Sequence, residues 1–542
     1  MSTPLPPPDV PTLVRRGHVY TRRGEYGRAI ASFTGAIDLD PTDPELYFHR
    51  GNAQAADGNP AEAVEDFTRA IDLRPDYAAA YHNRGTAHVD NDELEAAVAD
   101  YTRAIDLDPT DPDPVNGRAA ANSRLRNYDA AFADYETAIR LDPKMFRAYF
   151  NRANALSAVG RHEEAIIDYT AAVRLNPRHA RAYVYRGLSL ESLGRAEDAL
   201  ADLSAALRLQ AGFSEAFWHR ARLYTEQGNP EKAIVDFTWV LKFEPRHVGA
   251  YNLRGVAHAE LGEHRLAVAD FTAAIAIDPD DAAPRFNRGL SHVRTKNLEA
   301  AIADFSEAIR IAPDDPAGYI QRGYGYHELL DPDRAVADFT EAIRLNPDGP
   351  RGYFARAIAL RRKGDVIAAL IDATTAINKD PRSDAGYNLR AALHYQRADY
   401  RAAVADHIKA AELDPDDAGT LNFLAWIRAT CPLADLRDGA MALRDATRAC
   451  ELTDYKLPGY LDTLAAAYAE SGQFADAVRW QEKAIQLVPP DQRPEYEQRR
   501  NLYAEGQVYR EDGQSEGEES RTIESEEHQK REDEGENHDQ PV

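Results

Sequence analysis

AAAYHNRGTAHVDNDELEAAVADYTRAIDLDPTD, residues 78–111, holds two helical patterns and a stop. Tyr81, Arg84, Gly85 and His88 fall on one face of a first helix, and Ala97, Tyr101 and Ala104 on one face of a second. Pro109 ends the second helix, because its ring nitrogen cannot donate and the residue before it is pushed out of the α region. Working outward, the closing proline returns at Pro41, Pro75, Pro143, Pro177, Pro245, Pro279, Pro313, Pro347, Pro381 and Pro415. Every step is 34 residues, with Ala211 standing in the one skipped slot. Twelve units therefore run from Val10 to Asp417 without insertion or deletion.

Positions are counted from 1 within a unit, so the closing proline is position 32. Position 8 is Gly or Ala in all twelve units, and position 20 is Ala in all twelve. Position 27 is Ala in eleven, with Val240 the exception. Position 24 is Phe or Tyr in nine; Leu203, Ala373 and His407 fill it elsewhere. Small residues let helix backbones approach, and the aromatic fills the adjoining space.

This pattern resembles the tetratricopeptide repeat family, whose period is 34 residues. The resemblance implies an all-α, right-handed superhelical solenoid of stacked antiparallel helix pairs. A further module follows residue 417, and it looks like the C-terminal module of long bacterial arrays of this family. Its first unit has Ala425, Ala442 and Ala449 at family positions and needs about five extra residues around Thr430–Asp438. Its second has Leu464, Ala465, Tyr468, Gly472, Ala477 and Ala484. The expected organisation is a proline-rich disordered start (1–9), twelve units (10–417), two more (418–491), a capping helix (492–507) and an acidic disordered tail (511–542).

One departure from the family is systematic. Position 7, usually Leu in the family, is Arg in all twelve units, and position 23 is Asp in eleven, with Ser32 in the first. Arg84 with Asp100 and Arg254 with Asp270 typify an expected ion-pair ladder between helices. Units 4 and 12 are expected to be weak, since Pro114 and Val115 enter one first helix and His407 an aromatic slot.

The net charge is −26, and Glu511–Val542 alone carries thirteen acidic against three basic residues. So acidic a chain is a poor binder of polyphosphate, which argues against nucleic acid and for basic or neutral partners. The first residues show no basic segment before an apolar run, and no apolar stretch nears the length of a membrane span. The expectation is a cytoplasmic protein with no membrane insertion, monomeric on its own. Cys431 and Cys450 match neither a zinc site nor a redox pair. No HExxH, GxSxG, Walker or GxGxxG motif occurs, so no enzyme activity, cofactor or metal is expected.

In the family, the first helix of each unit lines a concave groove through positions 2, 5, 6, 9, 12 and 13. Position 5 here is largely aromatic or aliphatic and includes Phe150 and Trp218. Position 6 carries His49, Asn83, Asn151, Tyr185, His219, Asn287 and Gln321, and Asn154 stands at position 9. Amide side chains can pair with any peptide backbone, and aromatic ones give contact area at low entropic cost. These residues are the candidate contacts for an extended peptide or a partner protein, which makes the chain an interaction scaffold. The family's capture of a C-terminal carboxylate needs a basic residue at position 5, which no unit from 1 to 12 has. A self-assembling structural protein is the alternative.

Overall fold

The computed structural model describes residues 9–511. Within them are twenty-nine α-helices and one short 3-10 helix, Ala434–Leu436. Expectations for the rest of the proline-rich start and of the acidic tail fall outside the described residues. The chain divides into two compact bodies, Met1–Pro245 and Arg246–Val542. Each is a stack of helix hairpins, in which every first helix packs along its own second helix and the next unit's first helix packs on that pair.

Local chemistry sets the hairpin. Asp43, Asp111, Asp281, Asp315 and Asp417 each cap the following first helix by accepting a backbone N–H, and Asp9 does the same for Val10–Arg22. The turn inside each unit needs a left-handed residue at position 15. Glycine supplies it at Gly24, Gly58 and Gly160, whereas Leu330 and Ala398 adopt the same positive φ at some cost in strain. The position-24 aromatic explains the small residue at position 8. A Cβ on Gly255 would lie 2.7 Å from the Phe271 ring, and Phe271 itself is wholly buried.

The position-7 arginines hold the hairpins together. In eleven units the guanidinium is bidentate to the position-23 Asp of its own unit, with Nε and Nη2 donating to the two carboxylate oxygens at 2.6–2.9 Å. The carboxylates are more deeply buried than the guanidiniums; in the Arg254–Asp270 pair the side chains are 19% and 9% exposed. In unit 1, where Ser32 replaces Asp, Arg16 is exposed instead. The remaining Nη1 reaches back a unit. Arg84 donates to Thr68 at 3.0 Å and Arg288 to Thr272 at 2.9 Å, and seven other arginines meet a Thr or Ser at the same position 25. Five of these hydroxyls also donate to the carbonyl one helical turn earlier, as Thr272 does to Val268 at 2.7 Å. In these nine units the guanidinium therefore fixes both a hairpin and its junction with the unit before, whereas Arg152, which finds Glu136 at that position, closes its own hairpin alone.

The last two units keep the principle with altered spacing. Asp445, again seven residues into its second helix, is met by Arg428 from one turn farther along the first helix. Asp462 pairs with Arg499 of the terminal helix Arg493–Ala504 at 2.8 Å. Tyr496, Arg499 and Tyr503 are buried, so that helix covers the exposed end of the last hairpin.

Unit 12 compensates for its histidine. Fully buried His407 donates from Nδ1 to Asn388 at 3.1 Å and stacks on Phe423 at 5.2 Å. Asn388 donates in turn to Asp417, which also accepts from Thr420. Burial holds the imidazole pKa down at about 4, against the opposing pull of Asp406 and Asp417.

Two expected outcomes follow from these contacts. Asp270→Ala strands the Arg254 guanidinium and should cost roughly 2–4 kcal/mol, discounted for the partial exposure of the arginine. Urea unfolding and amide exchange of unit 8 report it, and an unchanged unit 8 would contradict the ladder's role. For His407, the folded pKa lies below the unfolded one, so between about pH 6.5 and about 4 only the unfolded chain takes up the proton. Stability of unit 12 should therefore fall as pH is lowered through that window, by up to roughly 3 kcal/mol. His407→Phe should flatten this dependence, and equal pH slopes for the two proteins would count against it.

Candidate functional site

The first helices of units 5, 6 and 7, Phe146–Ala158, Ala180–Ser192 and Ser214–Glu226, lie within the first body. Phe150 stacks on Tyr185 with centroids 5.9 Å apart and meets the His179 ring edge-on at 4.7 Å. Asn154 accepts from the Tyr169 hydroxyl at 2.7 Å, which leaves its amide N–H group aimed elsewhere. Trp218 meets buried Phe237 edge-on at 5.7 Å while staying half-exposed. Phe150, Asn154 and Tyr185 are thus brought together, and Trp218 sits at the position of Phe150 two units on.

Burial at this patch favours the neutral forms of its titratable groups. His219 is held down at about 4 by burial and by the Arg222 charge, so its ring is neutral at pH 7. Its Nδ1 has no hydrogen-bond partner. Burial raises the Glu191 carboxyl, opposed by Arg222 at 3.7 Å. Burial also raises the Tyr185 hydroxyl, reinforced by the Glu215 charge beside it.

Other candidate residues are already engaged. Asn83 donates to Asn52 at 2.7 Å, Asn151 to Asn116 at 3.3 Å and Asn287 to Asn252 at 3.1 Å. These amides tie neighbouring first helices to one another. Asn287 is only 4% exposed and faces the junction between units. His49 packs against the His18 ring at 4.4 Å, and burial followed by the His18 charge lowers its pKa. Gln321 is half-buried at the same position of unit 10. Aromatic side chains at position 5 also pack inside the stack, as Phe48 does on Tyr77 at 4.9 Å.

Two features escape a reading by position alone. One is the hydroxyl row at position 25, which a count of Thr and Ser would have shown. The other is Trp426, at position 9 of unit 13, which donates to Glu511 at the end of the described chain. Among the described residues, no cluster of three or more His, Cys, Asp or Glu is placed to hold a metal ion. No described helix is long and apolar enough to cross a membrane.

Family profiles described as "Tetratricopeptide repeat" match residues 48–112, 116–145, 146–179, 219–282, 260–316, 321–384 and 459–487, and one described as "TPR repeat" matches 17–58. Together these matches span more than half of the chain. No curated protein matches it. Similar solved structures include the Cut9–Hcn1 hetero-tetramer of the APC/C, 16% identical over 90% of this chain and 96% of that one, with a TM-score of 0.39. Yeast Tom70 is 18% identical over 82% and 96%, with a TM-score of 0.34. A tetratricopeptide repeat protein from Parabacteroides merdae is 21% identical over 46% and 98%, with a TM-score of 0.36.

Proposed function

Because the chain belongs to the tetratricopeptide repeat family, we propose that it is a non-catalytic interaction scaffold and that units 5–7 hold an extended segment of a partner protein. The observation that carries this reading is the half-buried run Phe150, Asn154, Tyr185, Trp218 and His219 on three successive first helices. Its rings offer apolar area already ordered by neighbours, so little entropy is lost on binding. Asn154, whose oxygen is taken by Tyr169, keeps its amide N–H group for a peptide backbone. Glu191 and Glu215 favour a ligand with some positive charge. The pairing of Asn151 with Asn116 reduces its part in this surface, so Asn154 carries more of the polar recognition.

Self-assembly is the second reading. The terminal helix Arg493–Ala504 opposes it at one end, since it covers the last hairpin with buried Tyr496 and Tyr503. The proposed scaffold is therefore monomeric until it meets its partner.

The test is a displayed peptide panel selected on the intact protein and reassayed on Trp218→Ala. The expected result is a loss of roughly 2 kcal/mol in binding, within the range for interface anchors. Far-ultraviolet circular dichroism should stay unchanged. If the substitution instead melts units 6 and 7 and produces no separable binding defect, Trp218 is a packing residue and the proposed surface is wrong.

A further inference from the structure

The described chain does not end at the capping helix. After Ala504 it turns back, and Val508–Glu511 runs as irregular chain across the first helices of units 14, 13 and 12. Glu511 accepts from Trp426 Nε1 at 2.6 Å with one carboxylate oxygen and from the Tyr395 hydroxyl with the other. Its backbone N–H donates to the Thr430 carbonyl at 3.1 Å. Arg510 donates to the Ala429 carbonyl at 3.0 Å and pairs with Glu470 at 2.6 Å. The Tyr509 ring lies 5.9 Å from that of Trp426, with the Arg499 guanidinium over both. Tyr395, Trp426, Thr430 and Glu470 occupy positions 12, 9, 13 and 13 of their units, all groove positions.

The site exists because unit 13 is irregular. In an ordinary unit the position-12 carbonyl accepts from the turn at position 15, as Thr21 does from Gly24 at 3.1 Å. In unit 13 the helix Ala418–Thr430 runs into Cys431, Pro432 and the inserted 3-10 turn, which does not return to that carbonyl. Ala429 and Thr430 are left as acceptors at a helix C-terminus, where the dipole also attracts a cation. Arg510 and the Glu511 amide meet these two groups. Recognition is thus specific in three successive residues: an aromatic ring, a guanidinium and a carboxylate held by two neutral donors.

We propose that the groove of units 12–14 is a peptide-docking site that its own Val508–Glu511 segment fills in cis. Its partner is a protein presenting an extended aromatic–basic–acidic sequence, which must displace that segment. The site lies in the second body, so it stands or falls independently of the patch on units 5–7. Tethering makes the cis segment a strong competitor, because a short intramolecular connection acts like a millimolar local concentration. The intact protein is therefore a closed receptor, and weakening the segment opens it.

The experiment uses the full chain and a fluorescein-labelled GQVYRE peptide, the sequence of residues 506–511, read by fluorescence anisotropy. The doubly substituted Arg510→Ala/Glu511→Gln chain should bind the peptide at least about tenfold more tightly than the intact chain. Adding Tyr395→Phe, or replacing the peptide's glutamate by glutamine, should each weaken that binding by about tenfold, since each removes a hydrogen bond to a charged group. Where the double variant loses helicity, Glu511→Gln alone serves as the opened chain. Failure of a folded opened chain to bind the peptide would overturn the proposal. So would equal binding by intact and opened chains, or indifference to Tyr395→Phe.

Discussion

The structure depends on one guanidinium placed to satisfy three acceptor oxygens on two partners at once. A position-7 arginine closes its own hairpin through two parallel bonds to Asp and reaches one unit back to a Thr or Ser hydroxyl, as Arg288 does to Asp304 and Thr272. Arginine suits this because its planar fork matches a carboxylate and leaves one terminal nitrogen over. Leucine in the same place would pack as well but would specify neither rotation nor spacing between hairpins. A lysine could not hold both oxygens. The flanking tyrosines add area over the same group, with Tyr251 5.7 Å from the Arg254 guanidinium carbon. The charge pair is half-sheltered, so its worth lies in fixing geometry as much as in stability.

That geometry decides what the first helices can offer a partner. With the second helices locked, the first helices stand side by side and their position-5, -6 and -9 side chains meet across units. Several of these meetings are internal. Asn83 with Asn52, and Asn287 with Asn252, form amide pairs that straddle adjacent units. Where bulky rings intervene, as at Phe150 and Tyr185, the amide pairing stops and a half-exposed aromatic surface remains. The Val508–Glu511 segment shows the same surface chemistry already occupied in the second body. There, Trp426 and Tyr395 donate to a carboxylate instead of to one another.

Much of this is legible in one dimension, because a 34-residue period repeats its constraints twelve times. Ala at position 20 and Gly or Ala at position 8 announce close helix contacts, and Arg and Asp at fixed places announce a charged column. What the period hides is pairing between units. Nothing in the string says that Asn287 faces Asn252 and not solvent, since both readings suit an amide at position 6. The hydroxyls do recur at position 25, but the string does not say that the next unit's arginine reaches back to them. His407 reads as a defect by position, and only its neighbours Asn388 and Phe423 turn it into a satisfied group. The contact of Tyr395 with Glu511 joins residues 116 apart in the chain, one inside the array and one beyond it, which no periodic argument can reach.

The claim that one arginine sets both the hairpin and its junction can be tested by a double-mutant cycle on Arg288 and Thr272, read by native-state hydrogen exchange of units 8 and 9. Arg288→Met and Thr272→Val preserve most of the packing volume. A coupling of roughly 1–2 kcal/mol is expected, in keeping with a hydrogen bond to a charged donor, and it should appear in both units. Strictly additive effects, with loss of protection confined to unit 9, would mean that the arginine serves its own hairpin alone and that the junctions are set by apolar packing.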